Sequence, residues 1–169
     1  MTRQPSPNLI RALAFIACFG ATPALAEVEP AIGRAAVLNP LSVVNTADLD
    51  FGTLVHGTGA GTATVNPSTG TLSTTGGVTA AGGTPATANF LATGVVNRFF
   101  AIVVGSNPVL TNGTGGTMTV NPMMIDGPTL RLFGAGGTST IRVGGVLNMA
   151  ANQAEGDYSG TFDLTIIYL

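Results

Sequence analysis

From Thr161 to the end of the chain, polar and apolar residues alternate. Phe162, Leu164, Ile166 and Tyr168 fall on one side, and Thr161, Asp163 and Thr165 on the other. A period of two residues is that of a β-strand with one face buried. Shorter runs of the same kind recur upstream, and the pattern predicts strands over residues 41–46, 49–55, 61–66, 70–75, 86–93, 98–104, 116–120, 130–133, 139–147 and 158–169. Between them lie turn signals: Asn112-Gly113, Asp126-Gly127, and the glycines Gly57, Gly59, Gly76-Gly77, Gly82-Gly83 and Gly136-Gly137. No long 3.6-residue periodicity interrupts the series. Many short strands at this spacing predict an all-β, antiparallel, immunoglobulin-like sandwich. The large apolar residues at alternating positions give its expected core: Leu49, Phe51, Phe90, Phe100, Ile102, Leu132, Ile141, Phe162, Leu164 and Ile166.

The beginning of the chain reads differently. "MTRQPSPNLIRALAFIACFGATPALA" has Arg3 and Arg11, then an apolar run over 12–21, then Ala24-Leu25-Ala26. A basic start, a short apolar stretch and an A-x-A triplet make a secretory signal peptide with cleavage after Ala26. The apolar run is too short to be a membrane-spanning helix, which needs about 20 residues. The expected organisation is a signal peptide over 1–26, an extended segment over 27–40, "EVEPAIGRAAVLNP", and a β-sandwich over 41–169. The expected localisation is export to the periplasm and then the cell surface or medium.

Composition narrows the function. Cys18 is the only cysteine and falls in the signal peptide, so no disulfide staples the mature fold. Lysine is absent, and without Arg3 and Arg11 four Arg face eight Asp and Glu, a net charge of −4. That balance offers no basic face for nucleic acid. No fixed charge occurs between Asp50 and Arg98, nor between Arg98 and Asp126. So sparse a surface charge is a solubility hazard for a free monomer and less of one for a subunit packed against neighbours.

Catalytic chemistry is poorly supplied. His56, the only histidine, sits at a strand end before a turn, where an exposed polar residue is expected. Asp48 and Asp50 flank Leu49 without the further oxygen ligands and glycine spacing of a calcium loop. Met123 and Met124 read as core filling or a loop contact rather than metal ligands. No glycine-rich stretch has the lysine and helix of a phosphate loop. The sequence therefore predicts a non-enzymatic protein with no catalytic residues, no metal and no cofactor.

Two resemblances add to this reading. "ADLDFGTLV" (47–55), "GTMTV" (116–120) and "VGGVLNMAANQAEGDYSGTFDLTIIYL" (143–169) resemble a family of small secreted β-domains of Gram-negative bacteria, which implies a fold and a location rather than an activity. The ending also resembles that of chaperone–usher pilus subunits of the spore-coat-protein-U-like branch: Tyr168 is penultimate and Gly156 is fourteenth from the end. The chain differs from that branch in lacking its cysteine pair. The pilin resemblance implies an incomplete sandwich whose open edge is closed by a donor strand from another chain, a form of β-augmentation. It implies a fimbrial subunit that self-associates by strand exchange, with a periplasmic chaperone and an outer-membrane usher as partners. The interaction residues would be Gly156, admitting a close turn, and the row Phe162, Leu164, Ile166 and Tyr168. The donor would come from 27–40, which has two registers. One presents Val28, Ile32, Arg34, Ala36 and Leu38; the other presents Ala31, Gly33, Ala35 and Val37. The alternative is a self-contained envelope or secreted binding module that closes its own sandwich and does not polymerise.

Overall fold

The computed structural model describes residues 32–35, 37 and 40–169. The expected signal peptide lies outside the described residues. The chain divides into two units, Met1–Ala36 and Val37–Leu169. In the first, residues 32–35 are exposed and belong to no strand. In the second, Val37 and Pro40 are likewise exposed and outside any strand.

The second unit is all β, and among the described residues there is no helix. Its strands are β1 (Ser42–Ala47), β2 (Thr53–Val65), β3 (Leu72–Gly82), β4 (Ala88–Thr93), β5 (Phe99–Val104), β6 (Val109–Thr111), β7 (Thr117–Ile125), β8 (Leu130–Leu132), β9 (Thr138–Met149) and β10 (Leu164–Tyr168). Every pairing is antiparallel.

The organising element is β9. Its first half pairs with β4, Thr138 opposite Thr93 through Val143 opposite Ala88. Its second half pairs with β2, Gly145 opposite Val65 through Met149 opposite Gly61. Val143 also pairs with Ile125, and Asn148 with Thr119, so β7 occupies the other edge of β9. Beyond β4 lies β1, beyond β2 lies β3, and β6 pairs with β7. Gly144-Gly145 marks the place where β4 gives way to β2. A Cβ at Gly144 would run into the Val65 carbonyl oxygen, and one at Gly145 would lie 2.6 Å from Val120 Cγ1. Only glycine lets the neighbouring backbone and side chain approach this closely.

A second, three-stranded sheet, in the order β10-β5-β8, makes the fold sandwich-like. Its inward side chains Phe100, Ile102 and Leu164 meet Ala88, Phe90, Ala92, Ile141 and Val143 from β4 and β9. Phe100 stacks on Phe133 with ring centroids 4.2 Å apart, and Phe90 meets Phe162 edge-on at 5.9 Å. A second core lies on the other half of the large sheet and includes Ala63, Val65, Val78, Met118, Val120, Leu147 and Met149. The small sheet supplies no buried residue to this core. Phe51, Leu110 and Tyr158 cover it instead.

Several expectations need correcting. Leu132 is 46% exposed and Phe133 fully buried, so the inward phase of the short β8 segment is one residue later than the alternation suggested. The predicted strand over 49–55 begins only at Thr53; before it, Asp50 pairs with Ala86 as an isolated bridge. Gly57, Gly59, Gly76 and Gly77 are not turn residues but lie inside the long β2–β3 ribbon. There the two backbones press together, and a Cβ at Gly77 would collide with the Gly59 carbonyl oxygen. The segment 116–120 extends to Ile125, with the register shifting between Val120 and Met123. Pro122 has no N–H to give the ladder, so the strand passes it by bulging. At the end of the chain only Leu164–Tyr168 is strand, not the whole of 158–169.

Candidate functional site: an open edge and an adjoining cleft

Among the described residues, β10 pairs only with β5 and β1 pairs only with β4. The hydrogen bonds bordering β10 fix which way its backbone points. Gly105 N–H donates to Asp163 O at 2.8 Å, and Leu169 N–H donates to Phe99 O at 3.1 Å. Antiparallel ladders alternate, so Thr165 and Ile167 face β5, and Leu164 and Ile166 turn their N–H and C=O groups to the open edge. On the opposite sheet, Gly94 N–H donates to Gly137 O at 2.8 Å, which sets the alternation along β4. Val43 and Asn45 of β1 then face outward in the same way. Both edges border the first core. Its half-buried margin includes Leu41 and Val43 on one side and Phe162 and Ile166 on the other.

Of the predicted interaction residues, four fall in one inward row. Leu164 is buried, while Phe162, Ile166 and Tyr168 are half-buried. Tyr168 is anchored as well as inward-facing. Its hydroxyl oxygen accepts the Val95 N–H at 2.7 Å, and its ring meets Phe133 edge-on at 6.2 Å. Gly156 is not part of this row. It has a φ of +136° and lies against Asn112, at the far end of the loop that leads into β10.

That loop borders a cleft of about 660 Å³. The floor is apolar and includes Leu49, Phe51, Leu110, Met118, Leu147 and Met149. Asn45 and Phe162 also line it, so the cleft opens where the β1 and β10 edges end. Its charged lining consists of four carboxylates, Asp48, Asp50, Glu155 and Asp157, with no Lys or Arg. Asp48 accepts a hydrogen bond from Asn45 Nδ2 at 2.6 Å, and Asp50 accepts one from Gly52 N–H at 2.7 Å. His56 also lines the cleft, half-buried, with Nδ1 3.4 Å from the Gly57 carbonyl oxygen.

The loop is held by a polar network that alternation in the sequence does not reveal. Buried Gln153 donates from Nε2 to Thr117 O at 3.1 Å and to the Tyr158 hydroxyl at 2.8 Å, and its Oε1 accepts Ala150 N–H at 3.2 Å. Tyr158 donates to Ala154 O at 2.7 Å. Asn112 Nδ2 donates to Glu155 O at 3.1 Å, and its Oδ1 accepts from Thr114 and Gly116. A buried amide satisfied at both ends specifies one loop conformation, because any other leaves it unpaired. The segments "LDFG" (49–52) and "QAEGDYSGTF" (153–162) both line the cleft.

The outer face of the small sheet is also apolar. Phe99, Val103, Leu130, Leu132, Ile167 and Leu169 are each between 46% and 63% exposed. A sheet packed on a core by one face ordinarily presents polar residues on the other, and contiguous exposed apolar area marks an interaction surface.

Compared with known families, residues 41–168 match the domain of unknown function DUF4402. The chain belongs to that family. No curated protein and no solved structure matches it. In this DUF4402 domain, no described helix is long and apolar enough to cross a membrane. Among its described residues no group of three His, Cys, Asp or Glu side chains is placed to hold a metal ion.

Proposed function

We propose that this protein is a non-enzymatic structural subunit of a bacterial surface fibre, exported and assembled by donor-strand exchange through the open edge of β10. The observation that carries the reading is the coincidence of two kinds of incompleteness on one strand. Among the described residues, Leu164 and Ile166 direct main-chain groups to an edge that no other strand pairs, and the row they belong to leaves Phe162 and Ile166 only half-buried against the first core. An added strand would satisfy the backbone and cover the apolar margin together, which is the chemistry of β-augmentation. The sparse charge of the chain fits a subunit surrounded by copies of itself. A periplasmic chaperone would protect the same edge before assembly, and an outer-membrane usher would receive the subunit.

The test is the oligomeric state of the exported full chain across a concentration series, read by light scattering and by electrophoresis without boiling. Fibre subunits give a ladder of species that resists mild denaturation. A single monomer at every concentration would overturn the reading and favour a self-contained binding module.

A further inference from the structure

Arg34 is the awkward residue in any donor strand drawn from this chain. In the register that presents Val28, Ile32, Ala36 and Leu38, its charge falls in line with the apolar row. A guanidinium pressed onto an apolar groove would be buried without a partner and would oppose binding. The cleft at the end of β10 removes that objection. Its apolar lining includes Phe90 and Phe162, which belong to the core and margin beside β10, and its rim carries four carboxylates with no Lys or Arg among its lining residues. Among the described residues the ion pair is Arg131 with Asp126, which is elsewhere. Asp48 and Asp50 each already accept a hydrogen bond, from Asn45 of β1 and from the Gly52 N–H, leaving Glu155 and Asp157 as the rim charges best able to receive a cation.

Resting on the strand-exchange reading, we infer that the segment 27–40 of a second copy docks with Arg34 over Glu155 and Asp157. This contact selects the Val28–Ile32–Arg34–Ala36–Leu38 register over the alternative. The stem of Arg34 lies on the apolar floor and its guanidinium reaches the rim, as long cationic side chains do at apolar–polar boundaries. A one-residue slip would turn Arg34 to the opposite side of the strand and bring the small residues Ala31, Gly33 and Ala35 into the groove. The charge pair therefore sets register, a role for which interfacial charges are better suited than for raw affinity.

Charge exchange in the full chain tests this. Arg34→Glu should weaken self-association by roughly tenfold or more, and Glu155→Lys with Asp157→Lys should do the same, because each leaves like charges facing one another. Combining all three substitutions in one chain should restore association to near the original level. Ile32→Asp serves as the control for strand exchange itself. If Ile32→Asp abolishes assembly but Arg34→Glu leaves it unchanged, the register is wrong and the fibre reading stands. If neither substitution changes assembly, this segment is not the donor and the inference is overturned, while the fibre reading stands on its own test. If both single-sided charge variants weaken assembly and the combination does not restore it, the two sites do not meet and the inference is overturned.

Discussion

Tyr168 combines two roles in one side chain. Its ring belongs to the inward row of β10, and its hydroxyl holds the main chain at Val95. Close by, a Cβ on Gly94 would lie 2.7 Å from that hydroxyl, so the site is already tightly packed. Tyr168→Phe keeps the ring and removes the acceptor for the Val95 N–H. It should lower unfolding free energy by about 1–3 kcal/mol, the cost of leaving a part-buried donor unpaired, measured by denaturant titration. The strand signal in circular dichroism should be unchanged. Tyr168→Ala removes the ring too and should cost more, toward the roughly 3–5 kcal/mol of aromatic truncations in cores. Loss of partner binding in such a variant would therefore not separate docking from folding, whereas substitutions at the loop carboxylates Glu155 and Asp157 would. At this scale the sequence spoke clearly about Phe162, Leu164, Ile166 and Tyr168, because side-chain alternation is a local signal. It was silent on Gln153 and Asn112, whose roles depend on partners 36 and 43 residues away in the chain, Thr117 and Glu155.

At the scale of the strands, alternation tells core face from outer face where polar residues mark the outer one, as Asn89 and Thr93 do in β4. The small sheet breaks that rule. Phe99, Val103 and Ile167 point outward and are about half exposed, so its apolar residues do not by themselves say which face is core. The same ambiguity misplaced Leu132, since a three-residue strand has too few positions to fix its phase. In the sequence the long β2–β3 ribbon resembles short strands separated by glycine turns, because glycine also permits close backbone approach inside a strand. Phe99→Ser together with Ile167→Thr tests the outer face. Neither side chain contributes to either core, so stability should change by less than about 1 kcal/mol. The concentration at which the protein precipitates should rise. A large loss of stability with no gain in solubility would show that these residues pack against the body instead.

At the scale of the whole molecule, one sheet spans two cores and a three-stranded sheet covers only one of them. The second core depends on Phe51, Leu110, Tyr158 and the loop ordered by Gln153, and the cleft remains between these covers. That asymmetry was not legible in the sequence, because it follows from β9 passing from β4 to β2 at Gly144-Gly145, a long-range arrangement with no local signature. The all-β class was legible, since strand-length alternation and frequent turn signals leave no other. Backbone alternation along β10 gives the central claim, that this edge accepts a strand, a residue-by-residue test. The measurement is amide hydrogen exchange of the full chain, dilute and concentrated. In dilute monomer, Thr165 and Ile167 should be protected by β5, while Leu164 and Ile166 exchange faster. On assembly, Leu164 and Ile166 should become protected as well, with little change at Thr165 and Ile167. Protection of Leu164 and Ile166 already complete in a monomer, or unchanged in the assembled protein, would contradict the account.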